Sequence, residues 1–325
     1  MEMAKIEEPV TLLVSDNVWG RHGDAIRSIS PAVTPIIYEG NEVLPDEIIS
    51  TVNTVFYSSD LWPDRSRGFA LSVLKATSIK WMHTFSAGVD SPFFVQLMER
   101  GVRLTNSSGV TASPIAQTTV LYMLALSRNV RAWFQHQEKH EWTRHEFAEL
   151  DGARLAVIGM GPIGIETARL GVALNMIVEA IRRTPNGTEP CPTFTFDQFS
   201  RVLADADWVA VALPLTDDTR QIFNAKTFAL MKPGAHFINV GRGELVDEDA
   251  LIAALQSGHL AGAALDVFAT EPLPPDSPLW NMDNVIITPH SSSASAQSGL
   301  RSEDIFVKNF ARYVAGESLI NEVNL

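Results

Sequence analysis

Cysteine is nearly absent. Cys191 stands alone among 325 residues, so neither a disulfide framework within the chain nor a cysteine-based zinc site can form, and a reducing cytoplasmic setting suits the composition. Long apolar runs are absent too, since none reaches the roughly 20 residues that cross a bilayer. The opening MEMAKIEEPVTLLVSD has neither the basic start nor the apolar middle of a secretory leader. Basic residues are in deficit, 25 Lys and Arg against 38 Asp and Glu, for a net charge of −13. That balance argues against nucleic acid as a partner, yet it leaves room for a small anion met by one local arginine. Low-complexity tracts and short-period repeats are missing as well.

The remainder is an ordinary globular composition, 46% hydrophobic and 19% charged, over a length that suits two domains. In the first part, short apolar runs alternate with helix-compatible segments: VTLLVSD (10–16), VTPIIY (33–38), TVNTVFYS (51–58), IKWMHTF (79–85) and VRLTN (102–106). The pattern predicts a small parallel sheet. A helix is predicted over 113–133, with Ser113 as N-cap and Pro114 as first helical residue. Its apolar side suits a core and a subunit interface equally. After ELDGA (149–153) come RLAVIG (154–159), MIVEAIR (176–182), WVAVALP (208–214), HFINVG (236–241), GAALDVF (262–268) and NVIITP (284–289). Six such strands with crossovers are what a doubly wound Rossmann domain requires. A last helix, near 296–315, follows no strand and is expected to rejoin the first block. The expected fold is α/β, with two Rossmann-like or flavodoxin-like domains, parallel sheets and an active-site cleft between them. One domain takes 1–107 plus 294–325 and the other 108–293.

Within LAVIGMGPIGIETARL, Gly159, Gly161 and Gly164 form a GxGxxG directly after an apolar strand and opening a helix. The pattern alone is weak, but this context is the one that dinucleotide binding needs. Gly159 would allow the tight turn, Gly161 the close approach of a pyrophosphate, and Gly164 close helix–strand packing. The amides at the helix start, around Pro162 and Ile163, would face the anion. An acid that takes the ribose hydroxyls is expected about 20 residues on. Counting from Gly164 reaches Arg182 instead, followed by Arg183 and Thr184. Glu179 is the only nearby acid, and strand alternation points it away from Arg182. A carboxylate would repel a 2′-phosphate, whereas guanidinium groups pair with one. NADP(H) is therefore the expected cofactor, with NAD(H) the alternative if the arginines are only a solvated loop.

Downstream, INVGRGELVDEDAL (238–251), GAALDVFATEPLPPDSPLW (262–280) and NVIITPHSSSAS (284–295) offer Arg242, Glu271 and His290. Each taken singly is more often a surface charge, loop polarity or a turn. Together with SAGVD (86–90), the GxGxxG and LPLTDDT (213–219), they stand in a fixed order along nearly the whole chain. In that order the sequence closely resembles the D-isomer-specific 2-hydroxyacid dehydrogenases, most of all their glyoxylate/hydroxypyruvate reductase branch.

The resemblance implies a reductase of small 2-keto acids, commonly a homodimer, with no metal. Arg242 would pair with the substrate carboxylate and polarise the keto oxygen. His290 would be the general acid in reduction and the base in reverse. Glu271 would hold the histidine and favour its charged form. The amides of Ala87 and Gly88 would help to bind the carboxylate. Asp266 would meet the nicotinamide carboxamide, Leu213, Pro214 and Thr219 would border the adenosine, and Val240 and Gly241 the nicotinamide end. Two departures stand out: Gln117 replaces a common Glu near the start of the long helix, and SSSAS follows the histidine. Glu271 itself argues against the formate-dehydrogenase branch, which typically has Gln there.

His136 and His140 are four apart and would share a helix face, but HQEKH lacks the metalloprotease glutamate and reads as a polar, solvent-facing stretch. Trp142 sits where some relatives send a tryptophan to the neighbouring subunit's site; it reads equally as a surface aromatic. Trp62 could limit substrate size or cap a loop. A related enzyme with a larger 2-keto acid, and a dinucleotide-sensing corepressor-like module, are the competing functions. The lack of an appended tail favours a stand-alone enzyme.

Overall fold

A computed structural model describes residues 9–323. Of the opening stretch MEMAKIEEPVTLLVSD, residues 1–8 lie outside the described residues, as do 324–325 at the end of the expected first domain. In chain order the elements are β1 (Thr11–Ser15), α1 (Asp16–Ile29), β2 (Thr34–Tyr38), α2 (Asp46–Ile49), β3 (Thr54–Tyr57), α3 (Ser66–Lys75), β4 (Trp81–Thr84), α4 (Pro92–Glu99) and β5 (Arg103–Thr105). Then come α5 (Ala112–Ser127), α6 (Val130–Glu138), β6 (Arg154–Ile158), α7 (Pro162–Ala173), β7 (Ile177–Ile181), β8 (Thr193–Phe194), α8 (Phe199–Asp205) and β9 (Trp208–Val211). The chain ends with α9 (Ala225–Leu230), β10 (Ala235–Asn239), α10 (Glu248–Gln256), β11 (Leu260–Leu265), β12 (Val285–Ile287), α11 (Ala296–Ala315) and β13 (Glu322–Val323).

Two compact units result, one of Met1–Thr111 with Ser295–Leu325 and one of Ala112–Ala294. The first holds a sheet in the order β13-β5-β4-β3-β1-β2, parallel except for β13 against β5. Its five parallel strands have the doubly wound order of a flavodoxin-like sheet. Alternate residues of one strand feed opposite cores. Leu13 joins Val55, Met82 and Phe69 on one face, while Leu12 and Val14 join Phe56, Trp81 and Phe306 on the other. α11 covers that second face. Phe306 stacks on Phe56 at 4.3 Å and on Trp81 at 5.7 Å, and Glu303 of the same helix is buried under Arg21 and His22 of α1 at 2.6 and 2.8 Å.

The second unit holds a seven-stranded, wholly parallel sheet in the order β12-β11-β10-β9-β6-β7-β8. This is the Rossmann order, with its switch point between β6 and β9. Strands covered on both faces read as continuous apolar runs, which is why VAVALP and AALDVF were legible as strands. Both expected α/β sheets are present.

The long helix differs from expectation. It starts at Ala112, so Ser113 and Pro114 lie inside it, and it stops at Ser127. Asn129 takes φ 47°, and α6 begins at Val130. Asparagine tolerates that left-handed conformation better than most residues, so the apolar period continues through a break it does not reveal. α6 in turn ends at Glu138. His136 and His140 therefore do not share a helix face, and His136 pairs instead with Glu141 at 2.7 Å. Among the described residues no helix is long and apolar enough to cross a membrane, and no group of three or more His, Cys, Asp or Glu could hold a metal ion.

Candidate functional site

In parallel α/β sheets ligands bind beyond the carboxyl ends of the strands, at the switch point. The second unit gathers its chemistry at that edge. β6 runs into Gly159, whose φ is +104° and whose added Cβ would lie 2.7 Å from the Ala212 carbonyl oxygen just beyond β9. A Cβ on Gly164 would fall 1.8 Å from the Gly159 oxygen. A Cβ on Gly161 would meet nothing within 4 Å. Two glycines thus bring strand and helix together, and the third keeps the approach open. Pro162 follows Gly161 at the start of α7, where a missing N–H costs nothing. This arrangement fits a pyrophosphate held by the backbone at a helix N-terminus.

β7 ends one residue before Arg182. Glu179 points away, as alternation required, and pairs with Arg201 at 3.2 Å. It is not the only acid nearby, however. Glu189 folds back from the following loop and binds Arg182 Nη1 at 2.8 Å. Arg183 and Thr184 are exposed on the same loop. On the other side of the switch point, Thr219 is buried with its hydroxyl closing the turn after β9. It donates to the Pro214 oxygen at 2.8 Å and accepts from the Thr216 amide at 2.8 Å. Leu213 and Gly241 come together here, since a Cβ on Gly241 would lie 2.9 Å from the Leu213 oxygen.

β10 delivers Val240, Gly241 and Arg242. Asn239, buried and missed by sequence reasoning, braces this corner: its Oδ1 accepts from the Gly241 amide at 3.0 Å and its Nδ2 donates to the Arg242 oxygen at 2.9 Å. The half-buried Arg242 side chain donates from Nη1 to the Gly241 oxygen at 2.9 Å. Gly243 was also missed. Its Cβ would lie 1.8 Å from the Phe268 carbonyl carbon, so only glycine lets the Arg242 turn lie against the segment that leads to Glu271.

Glu271 Oε1 accepts from the Phe268 amide at 3.0 Å, which leaves Oε2 for His290 Nδ1 at 2.8 Å. With the carboxylate as acceptor, Nδ1 carries the hydrogen and Nε2 is the ring atom left for a substrate oxygen. His290 sits at φ 49°, a conformation that costs a non-glycine residue about 1 kcal/mol or more and persists only where its surroundings hold it. They do so through Asp266. The His290 amide donates to the Asp266 carbonyl oxygen at 2.8 Å. The buried Asp266 carboxylate accepts from Thr288 Oγ1 at 2.6 Å, the Ser291 amide at 2.9 Å, the Ser292 amide at 3.1 Å and the Ser292 hydroxyl. Tyr122 of α5 donates in turn to Thr288; burial pushes its phenol up to about 12, so it stays protonated. A carboxylate has about four lone-pair sites. The group expected to meet a carboxamide is thus engaged in holding the histidine turn, and the serines after His290 supply much of that hold.

Ala87 and Gly88 belong to the first unit, in the loop that leaves β4. There Asn106 Nδ2 donates to the Ala87 oxygen at 2.7 Å and fixes the loop. Trp62 is 65% exposed and Trp142 98% exposed. Gln117 reaches back along α5 to Ser113 at 3.1 Å.

Comparison with known proteins places the chain in a family. The model of the D-isomer specific 2-hydroxyacid dehydrogenase NAD binding domain matches residues 120–292. The chain belongs to the D-isomer specific 2-hydroxyacid dehydrogenases. As a member it is an NAD(P)-dependent oxidoreductase of 2-hydroxy and 2-keto acids. It is 36% identical to glyoxylate/hydroxypyruvate reductase B of Salmonella schwarzengrund over 77% of this chain and 79% of that one. It is 31% identical to glyoxylate reductase of Thermofilum pendens over 76% of each. Among solved structures, the D-isomer specific 2-hydroxyacid dehydrogenase of Xanthobacter autotrophicus Py2, in complex with NADPH and MES, superposes with a TM-score of 0.77 at 30% identity, covering 99% of this chain and 98% of that one.

Proposed function

We propose that this dehydrogenase is an NADPH-preferring reductase that converts small 2-keto acids, of the glyoxylate or hydroxypyruvate type, into D-2-hydroxy acids. The observation that carries the reading is one sheet edge bearing both a carboxylate-backed histidine, His290 with Glu271, and an arginine where an NADH site places an acid, Arg182. The names of the Salmonella and Thermofilum relatives support the substrate class, and the NADPH held by the Xanthobacter structure supports the cofactor.

When bound, the nicotinamide supplies the hydride; the chain's own residues do the rest. The glycine turn and the start of α7 hold the pyrophosphate, and Arg182 with Arg183 meets the 2′-phosphate. Arg242 pairs with the substrate carboxylate and draws charge toward the keto oxygen. His290 Nε2 gives its proton to that oxygen as negative charge develops there. Glu271 keeps the ring aligned and balances the charge of its protonated form, while Asp266 holds the turn beneath it. The working unit is a homodimer, with the exposed Trp142 set against the second copy.

The test is kcat/KM for glyoxylate and hydroxypyruvate with NADPH and NADH, in the wild type and in Arg182→Asp. An NADPH preference that collapses in the variant is expected. Equal or better use of NADH by the wild type would sink the 2′-phosphate argument while keeping the enzyme. No turnover with either cofactor would overturn the substrate class.

A further inference from the structure

The loop after β7 closes around one carboxylate. Glu189 Oε1 accepts from Arg182 Nη1 at 2.8 Å and from the Asn186 amide at 2.9 Å. Its Oε2 accepts from the Gly187 amide at 2.8 Å. The side chain is only 4% exposed, beneath the loop it ties, whereas Arg182 is 31% exposed. From this geometry we infer that Glu189 is a positioning residue for the adenosine phosphate: it seats Arg182, folds the 183–190 loop around that arginine, and thereby sets the preference for the 2′-phosphorylated cofactor. The inference rests on the NADPH reading above and deepens it.

A guanidinium has five N–H donors in a rigid fork, and Glu189 engages only Nη1, so the fork is held while donors remain for an anion. Holding a long side chain and a loop in place beforehand removes ordering entropy that binding would otherwise have to supply. Both carboxylate oxygens are engaged by the protein, so Glu189 is not placed to take ribose hydroxyls as the usual acid does. The two amides and the guanidinium also hold its carboxyl down at about 2, so it stays charged throughout the range in which an enzyme of this kind is assayed.

The experiment is isothermal titration of the wild type, Glu189→Gln and Glu189→Asp with NADP+, NAD+, 2′,5′-ADP and 5′-ADP, beside steady-state kinetics with both reduced cofactors. Glu189→Gln should weaken NADP+ and 2′,5′-ADP about tenfold, the scale of one charge-assisted hydrogen bond, with NAD+, 5′-ADP and kcat changed less than about twofold. Glu189→Asp, which keeps the charge on a shorter stem, should fall between. Unfolding temperatures of the variants separate this from loss of fold. Equal weakening of both cofactors would reduce Glu189 to a structural residue of the adenosine loop and overturn the inference. Tighter NADP+ binding would make Glu189 a competitor for Arg182 and overturn it too. A wild type that binds NADP+ no better than NAD+ fails the cofactor reading itself, before any Glu189 variant is compared.

Discussion

Acid should weaken the first unit well before its carboxylates begin to protonate, because of one histidine. His83 in β4 is fully buried. Its Nδ1 meets Thr105 Oγ1 at 2.8 Å and its Nε2 meets Ser107 Oγ at 3.1 Å, with Phe56 and Phe306 beside the ring. Burial pushes its pKa down from 6.5 to about 3. The folded chain keeps the ring neutral while the unfolded chain takes up a proton, so stability is full above pH 6.5 and drains away as pH falls toward 3. At about 1.4 kcal/mol per tenfold in proton concentration, His83 alone removes roughly 2.5 kcal/mol between pH 6.5 and 4.5. For a unit of this size that is about 5–10 °C in Tm. Asp16 and Glu322 in the same unit are held below 3.8 and 4.5 by Arg65 and Arg103. They pull in the same direction, but only at lower pH. Calorimetry across that window on wild type and His83→Asn decides the matter. The variant should be less stable at pH 7 and have a flatter profile below it. A variant with the wild-type slope would refute the reasoning, since the titrating group would then lie elsewhere. His236, stacked on Trp208 at 4.1 Å and pushed down to about 4, gives the second unit its own acid sensitivity, which His83→Asn should leave untouched.

Other outcomes follow from the packing and the site. Gly164→Ala would drive a methyl into the Gly159 carbonyl, and binding of either dinucleotide, measured by titration, should fall at least about a hundredfold, since nothing flexible can yield. Glu271→Gln keeps the size but removes the charge behind His290; kcat should drop by about 10²-fold with cofactor affinity retained, the share of acid–base catalysis that depends on an aligned ring. Phe306→Ala removes the ring between Phe56 and Trp81 and should cost the first unit about 3–5 kcal/mol in denaturant unfolding.

Strands were legible because parallel sheets bury both faces and so leave unbroken apolar runs, and the family was legible because its motifs keep one order along the chain. What escaped had physical reasons. β8 and β13 are two residues each, too short for any period. Asn129 breaks a helix without interrupting its apolar face. Glu189 was overlooked because counting along β7 considers only neighbours in the strand, whereas the carboxylate returns through a loop closed by its own hydrogen bonds. Asn239 and Gly243 carry no signature of their own, and their value appears only when backbone from β10 and β11 is seen to converge. The donors around Asp266 were hidden for a similar cause: a buried acid looks the same in sequence whether it meets a ligand or a turn.

α11 also has a consequence during synthesis. The second unit is one unbroken stretch, Ala112–Ala294, and has all its parts as soon as it leaves the ribosome. The first unit is made first and finished last, because the helix that covers Phe56 and Trp81 is encoded after the whole of the second. At about 5–20 residues per second, that face of the N-terminal sheet waits roughly 10–40 s for its cover. A chain released before Ala296 lacks that helix altogether, and its exposed aromatic sheet face becomes a surface for chaperones or for other unfinished chains.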